Sequence, residues 1–384
     1  MAQPLSDILV LDFSTLLPGP LATLMLAEAG AEVVKLERPG TGEDARHSAP
    51  KIDGVSIGYA ILNRGKKSIA LDLKAEGAVE SLRPLIEKAD VLVEQFRPGV
   101  MDRLGLGYEA VRAINPGIVY CSITGYGQTG PKRDFAGHDL NYVGDAGILS
   151  LSRGPDEQPT MPFALVADIG GGSYPAVLNI LLALRERDRT GQGAHLDIAM
   201  AEGAFVFAYW AHAKGVVAGE PIGNGADRLT GGLARYRLYS AADGRQIAVA
   251  ALEEKFWQAF CQVIGLRTEL RDDLADPQAS SAEVARLLAA HPASHWEPLL
   301  AEADCCCTVV KTPAEAASDD HFAKRGIYGR QVRSGNGAYP LCRFRSRRLF
   351  ARRPPATRPR PISHVTTAIS GCPTHETPPR TPNH

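Results

Sequence analysis

Residues 8–36 read ILVLDFSTLLPGPLATLMLAEAGAEVVKL, and this stretch decides the fold. Residues 8–13 are a short apolar run, which reads as a buried strand. Pro18-Gly19-Pro20 breaks that run. Residues 21–29 have helical composition, and Gly30 supplies a stop. Residues 33–36 return to strand character. Strand, helix and strand within about thirty residues make a βαβ unit, so the two strands are predicted to lie parallel and adjacent. The fingerprint Gly-x-Gly-x-x-Gly does not follow the first strand, which argues against an NAD or FAD site.

The alternation continues outward. Residues 68–73 (SIALDL) alternate as a strand, and residues 74–89 carry Ala78, Val79, Leu82, Leu85 and Ile86 at helical spacing. Residues 91–93 and 118–123 read as strands, and 108–114 as a short helix. The pattern predicts the α/β class, with a large Rossmann-like domain built on an open, mostly parallel sheet. In such sheets ligands sit beyond the carboxyl ends of the strands. Arg38, Arg97 and the run Thr124-Gly125-Tyr126-Gly127 occupy those places. Arginines there can grip a phosphorylated ligand by paired hydrogen bonds, although most arginines are solvated surface charges.

Residues 136–187 hold the candidate chemistry. His138 and Asp168 stand at the mouths of two predicted elements. The apolar run 163–167 reads as a strand or extended segment that ends at Asp168. Gly170-Gly171-Gly172 and a helix over 174–184 follow. A helix start offers unpaired N–H groups and a dipole that lowers a carboxylate pKa, while burial opposes that effect. An Asp in this place also serves as an ordinary cap. Residues 199–215 read as a heavily buried helix, with Phe205-Val206-Phe207, Leu24 and Met25 assigned to the core. The period then changes. Residues 236–239 and 246–250 read as a hairpin around Gly244. Helices are expected over 253–264, 282–290 and 294–301, with a closing strand over 308–310. This is a smaller α+β domain. The expected division is 1–215 for the large domain, 216–325 for the small one and 326–384 for a return segment with a basic Pro/Arg-rich tail.

Composition sets further bounds. The chain has 384 residues, 45% hydrophobic and 22% charged, which predicts two globular domains. Residues 321–384 hold 13 of the 42 Lys and Arg but only one of the 43 Asp and Glu. A tail of that kind can bind nucleic acid, yet it carries no nucleic-acid motif and reads as irregular; no nucleic-acid partner is expected. The seven cysteines lack metal-ligand spacing, so no metal site is expected. Cys305-Cys306-Cys307 sit in an apolar run as free thiols, which suits a reducing cytoplasm. No signal-like start and no apolar stretch of spanning length stand out, and no membrane partner is expected.

These residues resemble the family III CoA-transferase superfamily, nearest to its 2-methylacyl-CoA racemase branch. The resemblance spans roughly residues 5–330 and rests on several pieces in one order: LDFSTLLPGPLATLMLAEAGAEVVKLERPGTGE, LNRGKKSIALDLK, VLVEQFRPGVMDRLGLGY, ITGYGQTGP, AGHDLNY, VADIGGGS and YRLYSAADGRQIAVAALEEKFW. It implies an acyl-CoA ligand and no cofactor beyond the CoA thioester that is the substrate. It also implies an interlinked homodimer, with each active site between the large domain of one subunit and the small domain of the other. Beyond residue 340 the chain departs from the acidic end that the resemblance implies.

Two chemistries compete within that resemblance. The racemase reading makes Asp168 and His138 the two acid/base groups that exchange the α-proton of a 2-methylacyl-CoA. It adds Glu253, which aligns with a glutamate bonded to the histidine from the other subunit. The transferase reading makes Asp168 a nucleophile that forms an anhydride and then a CoA thioester. GHDLNY favours the racemase, as does Leu17, where formyl-CoA transferases carry glutamine. For CoA the resemblance points first to Arg38, then to Arg97 and Arg103. Gly125, Tyr126 and Tyr142 are expected along the pantetheine channel, with core packing as the plainer reading for the tyrosines. A reading of another class is an acyl-CoA-binding protein without turnover.

Overall fold

In the computed structural model, residues 3–152, 158–220, 222, 225–334 and 337–341 are described. The basic tail beyond residue 341 lies outside the described residues. The opening apolar run forms β1 (Leu9–Asp12). Pro18 starts α1 (Pro18–Glu28), where its fixed φ suits a first helical turn. The chain then returns as β2 (Glu32–Glu37), parallel to β1 with Val10 opposite Val33. Four more parallel strands complete the sheet: β3 (Lys67–Ala70), β4 (Val91–Glu94), β5 (Val119–Thr124) and β6 (Ala194–Ala199).

The strand order is β3-β2-β1-β4-β5-β6, with every neighbour parallel. The chain builds outward from β1 to one edge, then restarts at β4 and builds to the other. Where the direction reverses, the loops after β1 and β4 part and leave a crevice. Both faces of the central strands are covered, which explains why β4 and β5 are buried at every position. Val10, Val91, Val93, Cys121 and Ile123 pack on one side with Leu26 and Ile180. Leu11, Leu36, Leu92 and Tyr120 pack on the other with Leu82, Ile86 and Val111.

A second, antiparallel sheet follows in the order β9-β8-β7, from β7 (Tyr236–Ser240), β8 (Gln246–Ala250) and β9 (Cys307–Val309). Trp257, Phe260, Ile264, Leu288 and Trp296 build its own core. Both core indoles have partners: Trp257 Nε1 donates to the Arg271 carbonyl at 2.6 Å and Trp296 Nε1 to that of Leu288 at 2.9 Å.

The middle of the chain departs from the sequence expectations. Residues 199–215 are not one buried helix. The segment follows β6, an edge strand whose alternation in His195-Leu196-Asp197 the apolar-run reading passed over. It then breaks into the short pieces Met200–Ala204, Phe205–Ala208, Tyr209–His212 and Ala213–Val217. Phe205, Val206 and Phe207 are exposed rather than core.

Asp168 does not end a strand either. Val166–Ser173 is π-helical and runs straight into the α-helix Tyr174–Thr190. π-turns concentrate at functional sites. The glycines of this turn serve close packing: a Cβ on Gly171 would lie 2.4 Å from the Met200 carbonyl oxygen, and one on Gly203 2.3 Å from that of Gly171. The helix Val166–Thr190 is, by length and composition only, long and apolar enough to cross a membrane. Its Ala176, Ile180, Ala183 and Leu184 are buried in the core beside the sheet.

Candidate active site

Beyond the carboxyl ends of β1, β4 and β5 lies a cavity of about 400 Å³. Leu16, Leu17 and Pro18 wall it after β1, and Gln95, Phe96, Arg97 and Pro98 after β4. Ile123, Thr124 and Gly125 wall it at the end of β5. His138 and Asp168 both line this space, although thirty residues separate them in sequence. The cavity occupies the crevice where the strand order reverses.

His138 is placed by a helix start. It is the N-cap of the helix Asp139–Asp145, with extended backbone at φ −128° and ψ 175°. Its own N–H donates to Asn141 Oδ1 at 3.0 Å, and the Asn141 N–H donates to the His138 carbonyl at 2.8 Å. These reciprocal bonds fix the entry to the helix. One turn on, the Tyr142 hydroxyl donates to the Gly137 carbonyl at 2.5 Å. The Tyr142 ring lies so close that a Cβ on Gly125 or on Gly137 would sit 2.6 Å from it. The glycines before the strand-end tyrosine and before the histidine therefore make room for that ring.

Asp168 is half-buried, and its backbone N–H donates to Asp139 Oδ1 at 2.9 Å. Burial pushes its carboxyl up, the Asp139 carboxylate adds to the rise and His138 partly offsets it; the result is about 6. The sequence set a helix start against burial; in the structure burial and a second carboxylate raise the carboxyl. Burial also pushes the Tyr142 hydroxyl to about 12, with Asp168 contributing. Arg97 and Arg133 bring two guanidinium groups to the same wall.

The other candidates separate into neighbouring spaces. Arg38 lines a second cavity of about 720 Å³ with Thr41, Leu71 and Lys74. Phe96 walls both cavities. Arg38 pairs with Asp44 and donates to the Gly42 carbonyl at 3.3 Å. Arg103 and Lys74 border a third recess of about 370 Å³. Gly125 and Tyr142 stand beside His138, as described above. Tyr126 does not line that cavity; its hydroxyl donates to Asp145 Oδ2 at 2.7 Å and its ring meets Tyr142 edge-on at 5.2 Å. Glu253 does not line it either. It is exposed at the N-cap of the helix Glu254–Ile264. Among the described residues no three His, Cys, Asp or Glu side chains are grouped to hold a metal.

Sequence reasoning missed Lys74, Gln95, Arg133 and Asn141. Lys74 follows the end of β3, so the strand-end rule that selected Arg38 could have found it. Gln95 works through a long-range bond that no local pattern shows: its Oε1 accepts the Gly19 N–H at 3.0 Å and ties the first turn of α1 to the loop after β4.

The model of the CoA-transferase family III matches residues 5–361. The human alpha-methylacyl-CoA racemase is 35% identical over 329 residues, covering 84% of this chain and 82% of that protein. An acetyl-CoA:oxalate CoA-transferase of Acetobacter aceti is 34% identical over 349 residues, covering 88% and 87%. The crystal structure of a CAIB/BAIF family protein from Brucella suis superposes with a TM-score of 0.74 at 30% identity, covering 90% of this chain and 93% of that one. The relatives include racemases and transferases alike, and both are enzymes acting on CoA thioesters by name. This chain belongs to the CoA-transferase family III.

Proposed function

We propose that the protein racemises or epimerises a 2-methyl-branched acyl-CoA by moving the α-proton between His138 and Asp168. The observation that carries this reading is the meeting of the two side chains in one cavity, with the Asp168 carboxyl raised to about 6. That value brings a carboxylic acid towards the range in which imidazoles titrate, which favours proton exchange in both directions near neutral pH. One group takes the α-hydrogen as a proton, and the electron pair moves into the thioester carbonyl to give an enolate. The other group delivers a proton to the opposite face.

The nucleotide end of CoA is assigned to the Arg38 cavity, with Lys74 and Arg103 near its phosphates. Phe96, shared by both cavities, marks the path of the pantetheine arm. A homodimer accounts for the exposed apolar surface. Tyr174, Leu178, Leu181 and Leu182 on the long helix, with Phe205, Val206, Phe207 and Tyr209, stand open to solvent. So many exposed apolar side chains on neighbouring segments suit a covered interface. A second copy is also the route by which Glu253 could reach a His138.

The second reading is CoA transfer through an Asp168 anhydride and thioester. The transferase similarity at 34% identity favours it, and Arg97 and Arg133 at the cavity wall suit an acceptor carboxylate. Incubation of a single enantiomer of a 2-methylacyl-CoA in D2O separates the readings. The racemase reading requires the other enantiomer to appear with deuterium at C2. Transfer of CoA to an added dicarboxylate without deuterium uptake supports the transferase. Binding with neither reaction leaves a non-catalytic acyl-CoA-binding protein.

A further inference from the structure

Leu16 is one of four residues other than glycine held at positive φ in the described chain, at +62°. L-residues with a branched apolar side chain avoid that region, and those found there cluster at functional sites. Leu16 is 46% exposed and lines the cavity of His138 and Asp168. Something must therefore hold its backbone. The Leu16 N–H donates to Glu43 Oε1 at 2.7 Å. Glu43 Oε2 lies 2.7 Å from Lys35 Nζ, and both side chains are only 1% exposed. Lys35 Nζ in turn donates to the Ser14 carbonyl at 2.7 Å. One buried ion pair thus grips the loop at Ser14 and at Leu16.

Glu43 also belongs to the other cavity. It lines the Arg38 space together with Thr15 and Thr41. Its backbone N–H donates to Glu37 Oε2 at 3.0 Å, and Glu37 is bound by Arg46 at 2.6 Å and by the Tyr59 hydroxyl at 2.9 Å. The segment that carries Glu43 is thereby anchored to the wall of the Arg38 cavity, while its carboxylate holds a residue of the reaction cavity.

We propose that Glu43 is a positioning residue that couples the two cavities, so that docking of the nucleotide end of a CoA thioester beside Arg38 sets Leu16 against the acyl end beside His138 and Asp168. The inference rests on the assignment of the nucleotide end to the Arg38 cavity. Binding energy from a remote, unreactive part of the substrate then improves the reacting geometry, an effect seen in kcat rather than in KM alone. Lys35 gives the buried Glu43 carboxylate an ion-pair partner at 2.7 Å.

The test uses the whole chain with its leucine methyl groups labelled for NMR, and 3′-phospho-ADP as probe; this carries the nucleotide end of CoA without the pantetheine arm. Leu16→Ala identifies the Leu16 signal. Addition of the probe to wild type is expected to shift that signal, and addition to Glu43→Gln, which breaks the ion pair with Lys35 that anchors the acceptor of the Leu16 N–H, is expected to leave it in place. Binding in wild type without a Leu16 shift, or an equal shift in Glu43→Gln, overturns the coupling. Absence of probe binding in wild type overturns the assignment of the Arg38 cavity itself. Because Glu43→Gln strips a buried lysine of its partner and can fail to fold, Leu16→Ala gives an independent reading. It should lower kcat for the full acyl-CoA at least tenfold while the affinity for 3′-phospho-ADP stays within twofold of wild type. An unchanged kcat in Leu16→Ala, or a parallel loss of probe affinity, contradicts the proposal.

Discussion

Asp139 Oδ1 accepts the backbone N–H of Asp168 at 2.9 Å, so a buried second carboxylate sits against the turn that brings Asp168 to the cavity. The bond fixes the π-turn that carries Asp168 against the helix that carries His138. The charge of Asp139 also helps to hold the Asp168 carboxyl at about 6. Asp139→Asn keeps an acceptor oxygen and removes the charge. It should lower the Asp168 value towards the ordinary carboxylate range. The acidic limb of the kcat/KM profile, which follows the ionised carboxylate, should move to lower pH. An unmoved limb would show that Asp139 acts only as a structural acceptor.

Asp168→Asn should lower kcat by about a thousandfold, the usual scale for losing an acid/base group. It should also change the pH dependence of stability. The native carboxyl is raised, so the folded state holds a proton that the unfolded state releases from about pH 4 upward. Wild-type stability therefore falls as pH rises from about 4 to about 6, and the penalty persists above that window. The gain in Tm of Asp168→Asn over wild type should be near zero at pH 4 and reach its full size above about pH 6. A gain independent of pH would contradict the raised carboxyl.

The general architecture was legible because its signals are local. The apolar runs at β1, β2 and β4 and the helical spacing of Leu82, Leu85 and Ile86 each identify an element without its neighbours. The strand-end rule picked out Arg97 and Gly125, which line the cavity in the crevice, and Arg38, which lines the neighbouring one. What stayed hidden depends on distant contacts. β6 is an edge strand with one open face, so His195 and Asp197 disguise it. The π-turn at Asp168 exists because Gly171 and Gly203 let two backbones touch, and no periodicity records that. The rise of the Asp168 carboxyl depends on Asp139, twenty-nine residues earlier, and on burial that only the folded chain defines.

Tyr142→Phe removes the hydroxyl that donates to the Gly137 carbonyl. The loss should cost about 1 kcal/mol in unfolding free energy, the typical net worth of such a bond. It should also loosen the turn that presents His138. Urea denaturation gives the first quantity and kcat the second. A variant with wild-type values for both would remove Tyr142 from the supports of the site.

Leu182 is 59% exposed on the helix Tyr174–Thr190. Leu182→Glu places a charge on the surface assigned to the second subunit, where an unpaired charge is costly to bury. Size-exclusion chromatography with light scattering should show wild type as a dimer and the variant shifted to monomer with reduced activity. A monomeric, active wild type would refute the dimer proposal.

The proposed racemisation rests on a division of labour between the two cavity side chains. The decisive measurement is solvent deuterium uptake at C2 of each enantiomer of a 2-methylacyl-CoA, catalysed by His138→Asn and by Asp168→Asn. Neither variant should interconvert the enantiomers, and each should still exchange the α-hydrogen of one of them, a different one for each variant. Interconversion at the wild-type rate in either variant, or exchange of the same enantiomer by both, would contradict that division of labour.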